Sequence, residues 1–73
     1  MLEKVKELLV EELQVNPADV TMDAELSKDL GINSIELAEL IWKCEEKFGV
    51  TIDEDDSNNF QTVGDVVNYL ENQ

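Results

Sequence analysis

Leu2, Val5, Leu8, Leu9 and Leu13 recur at helical spacing with Glu and Lys between them, which predicts a first helix reaching Gln14. The period then stops. Residues 15–33 hold Pro17, scattered Asp, Ser and Asn, and isolated apolar positions at Val20, Leu26 and Leu30. The stretch therefore reads as a long ordered loop, pinned to the core by those side chains. Loops of this length without secondary structure are uncommon in compact domains and are usually functional, which directs attention to this one and to its exit. A second helical period runs from Ser34 to about Lys47 and ends at Phe48-Gly49, where glycine suits the left-handed position that closes many helices. Beyond Val50 and Ile52, the acidic run Asp53-Glu54-Asp55-Asp56 is expected to hold a short helical turn that carries Phe60 back to the core. Thr62 followed by Asp65 resembles a capping box with Asp in place of the usual Glu, and Val63, Val66, Val67 and Leu70 mark one face of a last helix. No segment alternates as a strand does, and no repeat or flexible linker interrupts the chain. The expected fold is all-α: a small bundle of three longer helices plus one short helix, with a long loop between helices one and two, in a single domain over residues 1–73.

Composition narrows what such a bundle does. A chain of 73 residues has room for one modest hydrophobic core. A single cysteine forms no internal disulfide, and the absence of histidine removes the commonest zinc ligand pairings, so the fold stands on packing alone. Against 18 acidic residues there are 5 basic ones, a net charge of −13. So negative a surface repels phosphate backbones and anionic membranes, which excludes nucleic acid and lipid surfaces as expected partners and favours proteins with basic patches. The chain is nevertheless 42% hydrophobic with periodic placement, unlike acidic disordered chains. No stretch approaches the ~18 apolar residues of a membrane-spanning helix, and the N-terminus lacks a signal pattern. With a lone cysteine, which suits a reducing compartment, the expectation is a cytoplasmic monomer.

The start of the second helix carries the candidate chemistry. Asn33 is a good N-cap, and Glu36 lies three residues on, where it can reach back to the cap amide. Ser34 then occupies the first turn with its hydroxyl exposed at the end of the loop, beside the positive end of the helix dipole, where a phosphodiester is favoured. On spacing alone, an ordinary capping serine fits equally well.

The order of helix, long acidic loop, Asp29-Leu30-Gly31-Ile32-Asn33-Ser34-Ile35 and acidic helix resembles the acyl carrier proteins over essentially the entire chain. Further matching elements are Glu36-Leu37-Ala38-Glu39-Leu40, Glu45-Glu46-Lys47-Phe48-Gly49-Val50 and Thr62-Val63-Gly64-Asp65-Val66. The resemblance implies that a phosphopantetheinyl transferase attaches a covalent 4'-phosphopantetheine arm to Ser34, and that the terminal thiol carries an acyl chain as a thioester. It also implies that Ile35, Glu36, Glu39 and Trp42 face partner enzymes. One departure stands out: the family most often has Asp before the serine, whereas this chain has Asn33, which keeps the cap and removes a charge.

Helix geometry, at ~100° per residue from Ser34, divides the apolar residues of the second helix into two sets. Leu37, Leu40, Ile41, Cys44 and Phe48 gather on one face expected to bury against the first and last helices. These inward residues are mid-sized apart from Phe48, which leaves room for an acyl chain between the helices. Ile35, Ala38 and Trp42 form a second stripe flanked by Glu36, Glu39 and Glu46, the pattern of a docking surface in which charges steer and an aromatic anchors. For Trp42, half-burial against the loop is the equal alternative.

Other chemistries fit poorly. Cys44 lies on the core face with no histidine to activate it, and Ser34 has no evident base, so the chain is not read as an enzyme. The acidic run starting at Asp53 has Asn58 where a calcium loop needs Gly and Gly64 where it needs Glu, so no metal site is expected. The function expected is an acyl carrier for fatty-acid or polyketide-type biosynthesis, with the transferase and acyl-processing synthase enzymes as partners. An aminoacyl carrier of the D-alanyl or peptidyl type is an alternative that the strong negative charge disfavours. A non-covalent acidic helical adaptor is another, and it would accept no arm.

Overall fold

A computed structural model describes residues 1–72. Four α-helices follow one another: α1 Leu2–Leu13, α2 Ser34–Phe48, α3 Glu54–Ser57 and α4 Val63–Glu71. A single 3₁₀ turn, Pro17–Asp19, interrupts the long loop, with the Asn16 side chain accepting from the Ala18 amide at 3.0 Å. The apolar periods expected from the sequence thus mark the three longer helices to within about a residue. α1 ends at Gln14 in a left-handed conformation, φ 56°, and its amide donates to the carbonyls of Leu9 and Val10. α2 closes at Gly49, also left-handed at φ 64°.

α1 packs against both α2 and α4, and so lies at the centre of the bundle. Val5 and Leu9 are fully buried there, with Leu40 and Cys44 of α2 and Val63, Val66, Val67 and Leu70 of α4. Phe60, delivered by α3, packs partly buried on this core and meets Tyr69 edge-on with ring centroids 5.5 Å apart.

The loop is pinned more extensively than three apolar residues suggested. Val20, Ala24, Leu26 and Ile32 are buried, while Leu30 is only partly so. Its backbone is also laced to the segment entering α4. The Leu26 amide donates to Gln61 O at 2.8 Å, the Val63 amide to Ala24 O at 2.9 Å and the Gly64 amide to Met22 O at 2.9 Å. This makes an isolated antiparallel bridge between Glu25 and Thr62, the only strand-like pairing among the described residues. Two first-turn amides of α4, which have no acceptor within their own helix, are satisfied in this way.

Thr62 and Asp65 form the expected capping box. The Gln61 and Thr62 amides donate to Asp65 Oδ2 at 2.9 and 3.0 Å, and these bonds hold its carboxyl below the ordinary value of 3.8. A carboxylate depressed in the folded state stabilises it above the unfolded-state value, and the contribution is lost as pH falls through the folded value. Asp65→Asn keeps an acceptor and removes the charge. In about 1 M salt, which screens the general acidic repulsion, wild type should therefore exceed Asp65→Asn in urea-unfolding stability at neutral pH. That difference should shrink as pH drops below the ordinary 3.8 and vanish once pH has fallen through the lower folded value. A pH-independent gap would contradict this assignment.

Candidate functional site

The site is built by a tight turn that ends the loop. Asp29 Oδ2 accepts the Glu25 amide at 2.7 Å, the Asp29 and Leu30 amides return to Glu25 O, and the Ile32 amide donates to Leu26 O at 2.9 Å. Closing the turn needs Gly31 at φ 66°, a left-handed conformation that costs a residue with a Cβ. Ile32 drops into the core immediately afterwards. With Asp29, Gly31 and Ile32 set, Asn33 is extended (φ −88°, ψ 176°) and α2 begins at the next residue.

Asn33 is the cap. Its side chain accepts the Glu36 amide at 2.8 Å, and Glu36 Oε1 accepts the Asn33 amide at 3.1 Å, completing the capping box. Ser34 is consequently the first helical residue rather than the cap, and it is exposed. The hydroxyl is free for chemistry because its neighbour does the capping, a role that Asn fills as well as Asp would. The amides of Ser34 and Ile35, at the first two helical positions, have no acceptor within the helix.

Two clefts meet at Ser34. One, of about 410 Å³, lies between the loop residues Glu25, Leu26 and Lys28 and the side chains of Leu37 and Phe60. The other, of about 330 Å³, opens toward α3 and includes Ala38, Ile41, Glu54 and Ser57. Leu37 and Phe60 line both.

The outer face of α2 leads away from Ser34. Ile35 is 74% exposed and Trp42 57% exposed. Trp42 thus stands among the exposed large hydrophobic residues, outside the buried core. Ala38, Glu39 and Glu46 are exposed beside them, whereas Glu36 is partly buried and committed to the cap. Lys43 Nζ sits 5.1 Å from the Trp42 ring centroid, a cation–π contact on this face. On the inner face Leu40 and Cys44 are buried, and Leu37, Ile41 and Phe48 pack partly buried against the core. Burial pushes the Cys44 thiol up to about 11, and Glu45 adds to the shift while Lys47 opposes it. A thiol so rarely ionised near neutral pH is a packing group, not a nucleophile.

A sequence profile of the family described as phosphopantetheine attachment site matches residues 3–70, nearly the whole chain. The chain belongs to this family. It is therefore a phosphopantetheine-carrying protein, one of the carrier domains that are themselves non-catalytic and are modified covalently with 4'-phosphopantetheine. The residues fit that group, since an arm attached through a phosphodiester needs an exposed hydroxyl not spent on helix capping, with space beside it. Ser34 offers both. When bound, the arm supplies the terminal thiol on which a thioester forms. Among the described residues, no helix of this carrier is long and apolar enough to cross a membrane, and no group of three or more His, Cys, Asp and Glu is arranged to hold a metal ion.

Glu25, Lys28 and Phe60 escaped the sequence reading as site residues. Phe60 lies 26 positions from Ser34 in the chain (60 minus 34), and nothing local signals its approach. For Lys28 a signal existed: a lone basic residue six positions before the serine, within an acidic loop.

Proposed function

We propose that Ser34 carries the phosphopantetheine arm and that the chain holds acyl intermediates as thioesters for fatty-acid or polyketide-type biosynthesis. The observation that carries the reading is the division of labour at the start of α2. Asn33 caps the helix, which leaves the Ser34 hydroxyl exposed in the first turn, where two clefts meet. Within the matched residues, Ser34 is also the serine of the Asp29-Leu30-Gly31-Ile32-Asn33-Ser34 turn.

Incubation with coenzyme A and a broad-specificity transferase should add one phosphopantetheine to the intact mass of wild type and none to Ser34→Ala. A gain that persists in Ser34→Ala, or none in wild type, overturns the assignment. An adaptor that accepts no arm would give the second result.

In this reading the transferase and acyl-processing enzymes dock on the α2 face. Their basic residues meet Glu39 and Glu46, while Ile35, Ala38 and Trp42 enter an apolar recess, with Asn33 and the backbone side of Glu36 at the rim. The exposure of Ile35 and Trp42 supports this docking, as does the net charge of −13. Glu39→Lys should weaken transferase binding severalfold at low salt and flatten its salt dependence, because rim charges act mainly through steering. An unchanged affinity and salt slope, read by Trp42 fluorescence titration, would remove Glu39 from the interface.

A further inference from the structure

Charge is distributed unevenly around Ser34. The cleft on the α3 side is lined by Glu54, which begins the run continued by Asp55 and Asp56. The loop-side cleft carries one carboxylate, Glu25, and one ammonium, Lys28. In a chain with a net charge of −13, this second cleft is locally neutral. The 5 basic residues are Lys4, Lys6, Lys28, Lys43 and Lys47, so Lys28 alone lies outside α1 and α2. It is exposed, and among the described residues it has no ion-pair partner.

A phosphodiester on Ser34 adds one negative charge at the junction of the two clefts. On the α3 side the one charged group lining the cleft, among the described residues, is the Glu54 carboxylate, whereas on the loop side the Glu25 carboxylate is offset by the ammonium of Lys28. Like charges a few ångströms apart repel and opposite ones attract, and at this exposure both effects are modest but of opposite sign. We propose that Lys28 is a phosphate-positioning residue. It holds the phosphodiester of the arm on the loop side of Ser34 and turns the root of the arm away from α3. This inference rests on Ser34 being the attachment residue. Asn33 lines the same cleft as Lys28, and an Asp there would add a second carboxylate to it.

The test is phosphorus NMR relaxation on the loaded forms of wild type, Lys28→Met and Lys28→Arg, each verified by intact mass. At low salt the phosphate of wild type should relax as a group partly held on the domain. In Lys28→Met the ratio of held to free phosphate should fall roughly two- to fivefold, the range of an exposed ion pair, and Lys28→Arg should restore it. Raising salt to about 1 M should bring wild type to the Lys28→Met value, a readout that needs no variant. Relaxation identical in wild type and Lys28→Met at low salt, or insensitive to salt in wild type, overturns the role of Lys28 while leaving the arm in place. Failure of wild type to load at all overturns the reading of Ser34 instead, and this inference with it.

Discussion

Gly64→Ala should destabilise the fold by about 1–3 kcal/mol, although replacing glycine by alanine inside a helix ordinarily stabilises it by about 0.5–1 kcal/mol. The sign reverses because of a close approach across the bundle. A Cβ built on Gly64 lies 2.9 Å from the carbonyl oxygen of Met22, an atom that no rotamer change can move aside. That same oxygen accepts the Gly64 amide at 2.9 Å. Relief of the clash therefore requires the loop to withdraw, with loss of this bond and strain on its neighbours, the Val63 amide to Ala24 O and the Leu26 amide to Gln61 O. Urea unfolding measures the free-energy change, and hydrogen exchange at the Leu26, Val63 and Gly64 amides shows where it falls. A stabilised Gly64→Ala would mean that the loop does not lie against the first turn of α4.

Leu9→Ala should cost about 2–5 kcal/mol, the range for removing a buried leucine side chain from a core that relaxes only partly. Leu9 is 0% exposed and belongs to α1, the helix against which both α2 and α4 pack, so the cavity opens where three helices depend on one another. Chains of this size have about 4–11 kcal/mol of total stability, so the variant sits close to unfolding, with a melting temperature lowered by at least about 8 °C. Ile35→Ala removes an apolar side chain as well, but one that is 74% exposed, and stability should stay within about 0.5 kcal/mol. A loss below about 1 kcal/mol in Leu9→Ala would contradict the central position of α1.

The two variants separate kinds of information. Leu9 was readable as a core residue because Leu2, Val5, Leu8, Leu9 and Leu13 share one face at helical spacing, a pattern that needs no knowledge of the partner helices. Gly64 was not readable as a contact. Its meeting with Met22 spans 42 positions (64 minus 22) and exists only where the loop lies against the first turn of α4.

Around the candidate site the same division holds. Both capping boxes, Asn33 with Glu36 and Thr62 with Asp65, join residues three apart, so the sequence by itself determined where α2 and α4 begin to within a residue. The left-handed requirement at Gly49 is equally local. The sequence left two matters open: whether Ser34 or Asn33 caps α2, and whether Trp42 turns inward. Both hinge on orientations that neighbours in space decide. Only the tertiary structure showed that the loop is hydrogen-bonded to residues 61–64, that two clefts lined by Phe60 meet at Ser34, and that one of them holds Glu25 and Lys28 while the other holds Glu54. The physical reason is range. Helix periods, caps and turns are interactions within a few residues and are written along the chain, whereas clefts and the fields within them are properties of surfaces that exist only once distant segments have closed on a common core.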